Sequence, residues 1–286
     1  MSLPSYVSLV RFASRMMQPL PLRAFRFLGR TLSLLNVHYY RSEYRETGEM
    51  LQEFLGLSGS ALERTLKGIF YHRALKQLDF WLYPSLTPDT VRRMTCVTPL
   101  TREVSRLSEG PILYLGFHLG NQSWYSSVHR LLGNSPLYTV RAESRTEWFN
   151  PVAQPDPIII PGRDTRLLLQ QLRAGSKASL VADEFTPDLL RHTVNIQFLG
   201  RTLRWPTGFA RLAKMAQALC ILGLTPRLPD GRVLFDLTPL EPEQSFADPD
   251  YVPALVREAV SRLERYVARH PDQWLRWRYL KILQVS

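Results

Sequence analysis

Cysteine is scarce in this sequence of 286 residues. Its two cysteines, Cys96 and Cys220, lie far apart and outside any partner spacing, so neither a disulfide framework nor a cysteine metal site is expected. The six histidines form no His-x3-His or His-Glu-x2-His pair, which argues against a zinc enzyme. We therefore expect a protein without a metal or other cofactor, in a reducing, cytoplasmic compartment.

A long apolar run is also missing. No stretch reaches the roughly 20 residues that a membrane-spanning helix needs, and arginines interrupt the N-terminal region where a secretory signal would require an apolar core. A helix over this region would instead be amphipathic. Its arginines are Arg23, Arg26 and Arg30, and its apolar residues are Phe25, Leu28, Leu32 and Leu35. Such a helix can lie peripherally in an anionic membrane surface, or it can pack on its own domain with the arginines facing water.

Lysine and acidic residues are outnumbered by arginine. The chain has 31 Arg and 5 Lys, and its formal net charge is +11. Arginine suits bidentate phosphate contacts, so the charge fits an anionic membrane, a phosphorylated substrate, an acidic carrier protein or nucleic acid. Biased codon usage explains the charge equally well. A nucleic-acid-binding module is not expected, because no recognised motif accompanies the charge.

The pattern of apolar residues changes near residue 100. Residues 1–83 read as helical, whereas strand-like and helical segments alternate afterwards. This alternation predicts an α/β fold with a mixed, largely parallel central sheet flanked by helices. We expect one domain over residues 1–286, with an N-terminal helical region (1–95) and an α/β core (96–286). The predicted strands cover residues 112–117, 137–141, 157–161, 178–182, 219–225 and 232–237, and the predicted helices cover 121–132, 165–174, 206–217 and a final helix from 250.

Residues 116–124, Gly-Phe-His-Leu-Gly-Asn-Gln-Ser-Trp, carry the strongest chemical signal. His118 follows a strand-like run and precedes a turn, which places it at the carboxyl end of a strand, where open α/β sheets position their chemistry. An imidazole titrates near neutral pH and can act as a general base. A structural role for such a histidine is the alternative.

This segment resembles the His-x4-Asp/Glu motif of glycerolipid-type acyltransferases, and most closely the His-Phe-Gly-Asn-Trp-Glu form of the lipid A biosynthesis lauroyl/myristoyl acyltransferase family. Four further segments resemble that family in the same order, so that the likeness spans about residues 35–280. Asp183 stands in a segment similar to Ala-Asp-Gln. Residues 195–201 resemble Val-x-Phe-Phe-Gly-Arg, and residues 206–213 resemble Pro-x-Gly-x-Ala-x-Leu-Ala. Residues 270–274, followed by Arg276, Trp277 and Arg278, resemble the C-terminal His-Pro-Glu-Gln-Trp-x-Trp ending.

The resemblance implies a glycerolipid acyltransferase-like fold and an enzyme that moves an acyl group from an acyl carrier protein or coenzyme A thioester to a lipid or small-molecule acceptor at the inner membrane face. It implies that His118 is the general base. The acid of the motif is replaced by Ser123, which can accept a hydrogen bond but carries no charge. Asp183, Glu184 and Glu143 are candidate sources of the missing charge.

Three residues are predicted to contact substrate: Arg141, Asn121 and Glu184. Arg141 aligns with an arginine of the family and could contact a phosphate or the acyl donor, although an ion pair with Glu143 or Glu147 is equally compatible. Trp274 and Trp277 are predicted to be packing groups.

The replacement at Ser123 and the missing spanning anchor leave other functions open. One is a soluble acyltransferase of specialised metabolism that acts on a small amine or alcohol, with an aminoacyl-tRNA as a further candidate donor. Another is a degenerate, non-catalytic relative that binds a lipid or a partner.

Overall fold

The computed structural model of the chain describes residues 12, 14–106, 110–121, 124–133, 137–140, 157–160, 163–185 and 189–285. Two predicted site residues, Ser123 and Arg141, lie outside these ranges. Among the described residues, no helix has the length and apolar character needed to cross a membrane.

Three long helices form the N-terminal region, as expected. They are α1 (Leu22–Tyr39), α2 (Arg41–Leu55) and α3 (Gly59–Leu82), and a short helix, α4 (Pro88–Met94), follows. Helix α1 begins directly after Pro21, and α2 ends at Gly56, whose φ of 63° is the left-handed conformation common just after a helix. Helix α1 packs on α3 so closely that a Cβ on Gly29 would lie 2.5 Å from Leu75 Cδ2.

The second part of the chain alternates strands and helices, as the sequence predicts. The strands are β1 (Thr95–Val97), β2 (Ile112–Gly116), β3 (Leu137–Val140), β4 (Ile158–Ile159), β5 (Lys177–Val181), β6 (Thr193–Phe198), β7 (Arg201–Pro206), β8 (Leu219–Leu224) and β9 (Val233–Leu240). The helices are α5 (Pro99–Ser105), α6 (Tyr125–Leu131), α7 (Thr165–Arg173), α8 (Gly208–Ala216), α9 (Tyr251–Arg269) and α10 (Leu280–Leu283).

Seven of these strands form the central sheet, in the order β1-β9-β8-β2-β5-β3-β4. Every neighbouring pair is parallel except β8 and β9, which run antiparallel. Strand β2 lies in the middle, and all five of its residues are buried, as its continuous apolar sequence predicts for a strand covered on both faces. The mixed, largely parallel sheet expected from the sequence is therefore confirmed.

Two differences from the sequence prediction lie between β5 and β8. Strands β6 and β7 form a separate antiparallel hairpin that the apolar pattern did not predict. They are joined at Leu199 and Gly200, which both have positive φ (50° and 78°), the backbone geometry of a tight two-residue hairpin. Pro206 ends β7 instead of beginning a helix, and α8 starts two residues later at Gly208.

Candidate active site

The candidate site lies where the central parallel strands end. Gly116, the last residue of β2, pairs with Val181 at the end of β5 and with Gly223 near the end of β8. The pairing of β2 with β5 extends one residue further, because the N–H of Ala182, which follows β5, donates to the Gly116 carbonyl at 2.8 Å. His118 and Asp183 each stand two residues beyond a strand end, so the register of β2 and β5 brings them together.

The carboxylate of Asp183 is fully buried and accepts hydrogen bonds from three N–H groups. His118 Nδ1 lies 2.8 Å from Oδ1. The backbone N–H of His118 points at both oxygens, at 3.1 and 2.9 Å. The indole N–H of Trp274 donates to Oδ2 at 2.9 Å. This convergence fixes both the position of the imidazole and the plane of the carboxylate.

The same contacts determine the protonation of the pair. Burial alone would raise the pKa of Asp183, but the hydrogen bonds from His118 and Trp274 and the positive charge of Arg276 hold that pKa below its ordinary value. An ionised carboxylate can only accept hydrogen bonds, so Nδ1 of His118 carries the ring proton when the imidazole is neutral. The lone pair is then on Nε2, the nitrogen that faces away from Asp183.

Arg276 donates a hydrogen bond to that lone pair. Its Nη2 lies 2.8 Å from His118 Nε2 and 2.8 Å from Glu184 Oε2. A guanidinium can only donate, so this contact supports the same tautomer. The guanidinium also lies over the ring of Tyr279, with Cζ 4.8 Å from the ring centroid. Glu184 is 43% exposed, and its Oε2 is 3.7 Å from Nε2, so the site opens toward solvent on the side of Glu184.

His118 is neutral in this environment. Burial lowers the pKa of the imidazole to about 3, and the positive charges of Lys76 and Arg276 act in the same direction, while Asp183 opposes them. The histidine therefore keeps its Nε2 lone pair throughout the physiological pH range, which a general base requires.

The C-terminal segment and the residues after β8 secure the loop that carries His118. The Leu275 N–H donates to the His118 carbonyl at 2.9 Å, and the Gly120 N–H donates to the Gln273 carbonyl at 3.1 Å. The hydroxyl of Thr225 donates to the Leu119 carbonyl at 2.9 Å. Gly120 has φ 59°, and a Cβ there would lie 1.9 Å from the Thr225 carbonyl oxygen, so this position requires glycine.

A buried ion pair between Asp79 and Arg227 attaches this loop region to α3. Arg227 also exchanges two hydrogen bonds with the side chain of Gln273: its N–H donates to Oε1 at 2.8 Å, and its carbonyl accepts from Nε2 at 3.1 Å. Burial raises the pKa of Asp79 to about 6, although Arg227 opposes that rise. The indole of Trp124 donates to the Asp79 carbonyl at 3.3 Å.

The structure brings together three of the predicted residues, His118, Asp183 and Glu184. Asn121 is buried, and its backbone N–H donates to the Thr225 carbonyl at 2.9 Å. Sequence reasoning missed Arg276 and the polar role of Trp274, which is fully buried but also bonds Asp183. One signal was available for Arg276: it stands where the His-Pro-Glu-Gln-Trp-x-Trp ending of the lipid A family has its second tryptophan.

The chemistry that this arrangement supports is proton transfer. A neutral imidazole that is hydrogen-bonded to a buried carboxylate can take a proton from a hydroxyl or amine and return it later in the same reaction. Among the described residues, no group of three His, Cys, Asp or Glu side chains is arranged to hold a metal ion.

Comparisons with known proteins include a structural likeness. No protein-family model matches the chain, and no curated protein sequence matches it. The fold is similar to the crystal structure of the 1-acyl-sn-glycerophosphate (LPA) acyltransferase PlsC from Thermotoga maritima, with 12% sequence identity and a TM-score of 0.39. The match covers 85% of this chain and 97% of that chain. At this identity and TM-score, the likeness does not assign a function.

Proposed function

We propose that the protein is an acyltransferase in which His118 is the general base. The observation that carries this proposal is the orientation of the dyad: Asp183 holds the Nδ1–H, and the Nε2 lone pair faces the side that opens at Glu184. A base oriented by a buried carboxylate is the arrangement that activates hydroxyl and amine nucleophiles. The family resemblance of residues 116–124 and the later segments supports acyl transfer over other uses of such a base.

In the proposed reaction, the acceptor O–H or N–H replaces the Arg276 N–H at Nε2. His118 takes the acceptor proton as the acceptor attacks the thioester carbonyl carbon. The tetrahedral intermediate collapses, the C–S bond breaks, and the imidazolium returns its proton to the leaving thiolate. The products are the acylated acceptor and the free thiol of the donor. Asp183 remains ionised and stabilises the transient imidazolium.

Arg276 has two roles in this proposal. Without acceptor it covers the lone pair of the base. Once displaced from Nε2, it remains paired with Glu184 and presents its donors beside the reacting carbonyl, where a cation stabilises the developing oxyanion. Glu184 thus acts by holding the arginine, which refines its predicted role as a substrate contact.

We expect an acyl carrier protein or coenzyme A thioester as donor, since both are anionic and the protein carries a net charge of +11. A lipid acceptor, as in the lipid A acyltransferase family, follows from the motif resemblance and would place the enzyme peripherally on the cytoplasmic membrane face. A small amine or alcohol as acceptor, with an aminoacyl-tRNA as a further donor, is the competing form of the same chemistry.

The first experiment incubates the purified protein with acyl carrier protein and coenzyme A thioesters and a lipid A precursor, and follows all species by mass spectrometry. The matched variants are His118→Ala and His192→Ala, because His192 is an exposed histidine outside the site. Acyl transfer that is lost only in His118→Ala supports the proposal. Transfer that survives in His118→Ala contradicts it.

The same incubation separates the alternatives. Donor consumption with unmodified lipid, rescued by small amines or alcohols, would indicate the enzyme of specialised metabolism. Transfer from aminoacyl-tRNA should fall steeply with salt, because the phosphate contacts release counterions. Absence of turnover with every donor, together with lipid binding that His118→Ala leaves intact, would indicate a non-catalytic lipid-binding relative.

A further inference from the structure

Helix α1 buries one face and leaves large apolar side chains exposed on the other. Phe25 and Gly29 are buried against the helical region. On the opposite side, Phe27, Leu34, Leu35 and Tyr39 are between 62% and 80% exposed, and Leu28 is 37% exposed. An exposed contiguous apolar patch marks an interaction site more often than isolated surface residues do.

These exposed residues form an apolar stripe, made of residues 27, 28, 34, 35 and 39, in which Thr31 and His38 are also exposed. Their spacings of seven (27 to 34, 28 to 35) and four (35 to 39) place them on one side of a helix. The helix has 18 residues and is therefore about 27 Å long. Before it, Phe12 and Met16 are also exposed. The apolar stripe is long enough to lie along a lipid surface.

The charge around the stripe has a single sign. The first 42 residues of the sequence contain six arginines and no aspartate or glutamate, and the first acidic residue is Glu43. Arg23 and Arg30 are exposed on α1 beside the stripe. An apolar stripe bordered by arginines matches an anionic bilayer, in which phosphates lie above the acyl chains. A second copy of this chain would bring the same positive charges against each other.

A groove next to the stripe strengthens the match. It lies between α1 and α2, has a volume of about 390 Å³, and is lined by Leu34, Val37, His38, Arg41 and Tyr44. The Arg41 guanidinium lies 2.9 Å from His38 Nδ1 at the exposed edge of the groove. A cation above an apolar floor is complementary to one phospholipid, with its phosphate at Arg41 and its glycerol and upper acyl chain against Leu34.

From these observations we infer that α1 is a docking surface for an anionic phospholipid bilayer, with the apolar stripe inserted and Arg23, Arg30 and Arg41 at the phosphate level. Bilayer binding of this kind does not depend on the proposed function, because it is measured without turnover.

The test is co-sedimentation of the full chain with vesicles of phosphatidylglycerol and phosphatidylcholine, and with vesicles of phosphatidylcholine alone. The variant Phe27→Ser/Leu34→Ser/Leu35→Ser should bind the vesicles about 1,000-fold or more weakly, since burying each of the three side chains is worth about a tenfold change or more. Arg23→Gln/Arg30→Gln should lose about fivefold per arginine on the anionic vesicles only, and salt should reduce that difference.

The matched control is Leu100→Ser/Leu167→Ser/Ile282→Ser, which removes three other apolar side chains that are 43–46% exposed. It should bind like the unmodified protein, and circular dichroism checks that all variants fold. Equal vesicle binding by the stripe and control variants would overturn the inference. An unmodified protein that does not sediment with either kind of vesicle would also overturn it, including one that forms a dimer or binds an acidic carrier protein through the stripe.

Discussion

The exchange of Asp183 for asparagine tests whether the carboxylate sets the tautomer of His118. Both oxygens of Asp183 accept from N–H donors: Nδ1 and the backbone N–H of His118, and the indole of Trp274. An amide has one acceptor oxygen and an NH2 group that only donates. If its oxygen faces Nδ1, the NH2 group faces the indole N–H. If its oxygen faces the indole, the NH2 group faces Nδ1 and forces the ring proton onto Nε2.

In the second orientation, the donor without an acceptor lies at the contact between His118 and Arg276. A proton on Nε2 would point at the guanidinium donor that lies 2.8 Å away. Either orientation therefore leaves at least one buried donor without an acceptor, which costs about 1–3 kcal/mol. We expect the free energy of unfolding to fall by that amount. We also expect kcat to fall by about 10³- to 10⁴-fold, since an inverted tautomer removes the basic lone pair.

Urea denaturation measures the stability change, and the thioester assay measures kcat on variants that circular dichroism shows to be folded. Trp274→Phe is the matched control, because it removes one donor to Asp183 and leaves the Nδ1 contact intact. It should destabilise the protein by about 1–3 kcal/mol while kcat stays within about tenfold. If Asp183→Asn keeps a tenth or more of the activity, the carboxylate does not orient the base and the reasoning is wrong.

Three further predictions concern Arg276, His129 and Gly120. Arg276→Ala should lower kcat about 100-fold and raise the ratio of donor hydrolysis to acyl transfer. It should also speed the modification of His118 Nε2 by diethyl pyrocarbonate, and an unchanged rate of modification would show that Arg276 does not cover Nε2. Burial, helped by Lys177, lowers the pKa of His129 to about 3, so the unfolded chain binds more protons than the folded protein between about pH 6.5 and 3. Because of His129, the free energy of unfolding should be highest above pH 6.5 and should fall by about 2 kcal/mol between pH 8 and 5. In His129→Gln, urea denaturation at several pH values should no longer show this fall, and an unchanged dependence on pH would refute the prediction. Gly120→Ala should strongly destabilise the protein and lower its activity, because the new Cβ would lie 1.9 Å from the Thr225 carbonyl oxygen. Gly133 has φ 82° and open space around it, so Gly133→Ala should lower the stability measured in a thermal melt by only about 1 kcal/mol. Equal losses of stability in the two variants would contradict the close contact at Gly120.

The sheet could be predicted from the sequence because buried parallel strands leave a strong local pattern. Runs such as residues 112–116 and 219–224 are continuously apolar. The hairpin of β6 and β7 was missed because its turn is Leu199-Gly200, in which a leucine adopts positive φ. Leucine is a poor turn signal, so only the packing of the two strands makes this turn favourable.

Part of the candidate site could be predicted for a similar reason. His118 and Asp183 follow strand ends, and parallel strands that end at one edge of a sheet bring such residues together. Arg276 and Trp274 could not be placed this way, since they come from the C-terminal segment, 158 and 91 residues from their partners in sequence. Their positions depend on how that segment closes over the loop of His118.

The contact between Arg276 and His118 also bears on the strength of the proposed base. A histidine whose pKa is lowered to about 3 has a free lone pair but a low affinity for protons, which makes it a weak base. Burial is the largest cause of that lowering, and the positive charges of Lys76 and Arg276 add to it. In the proposed reaction, the acceptor displaces the guanidinium from Nε2 while Asp183 stays bonded to Nδ1, which reduces the smaller, charge-based part of the lowering. The guanidinium covers Nε2 against water until an acceptor is bound, and such a cover would favour acyl transfer over hydrolysis of the donor.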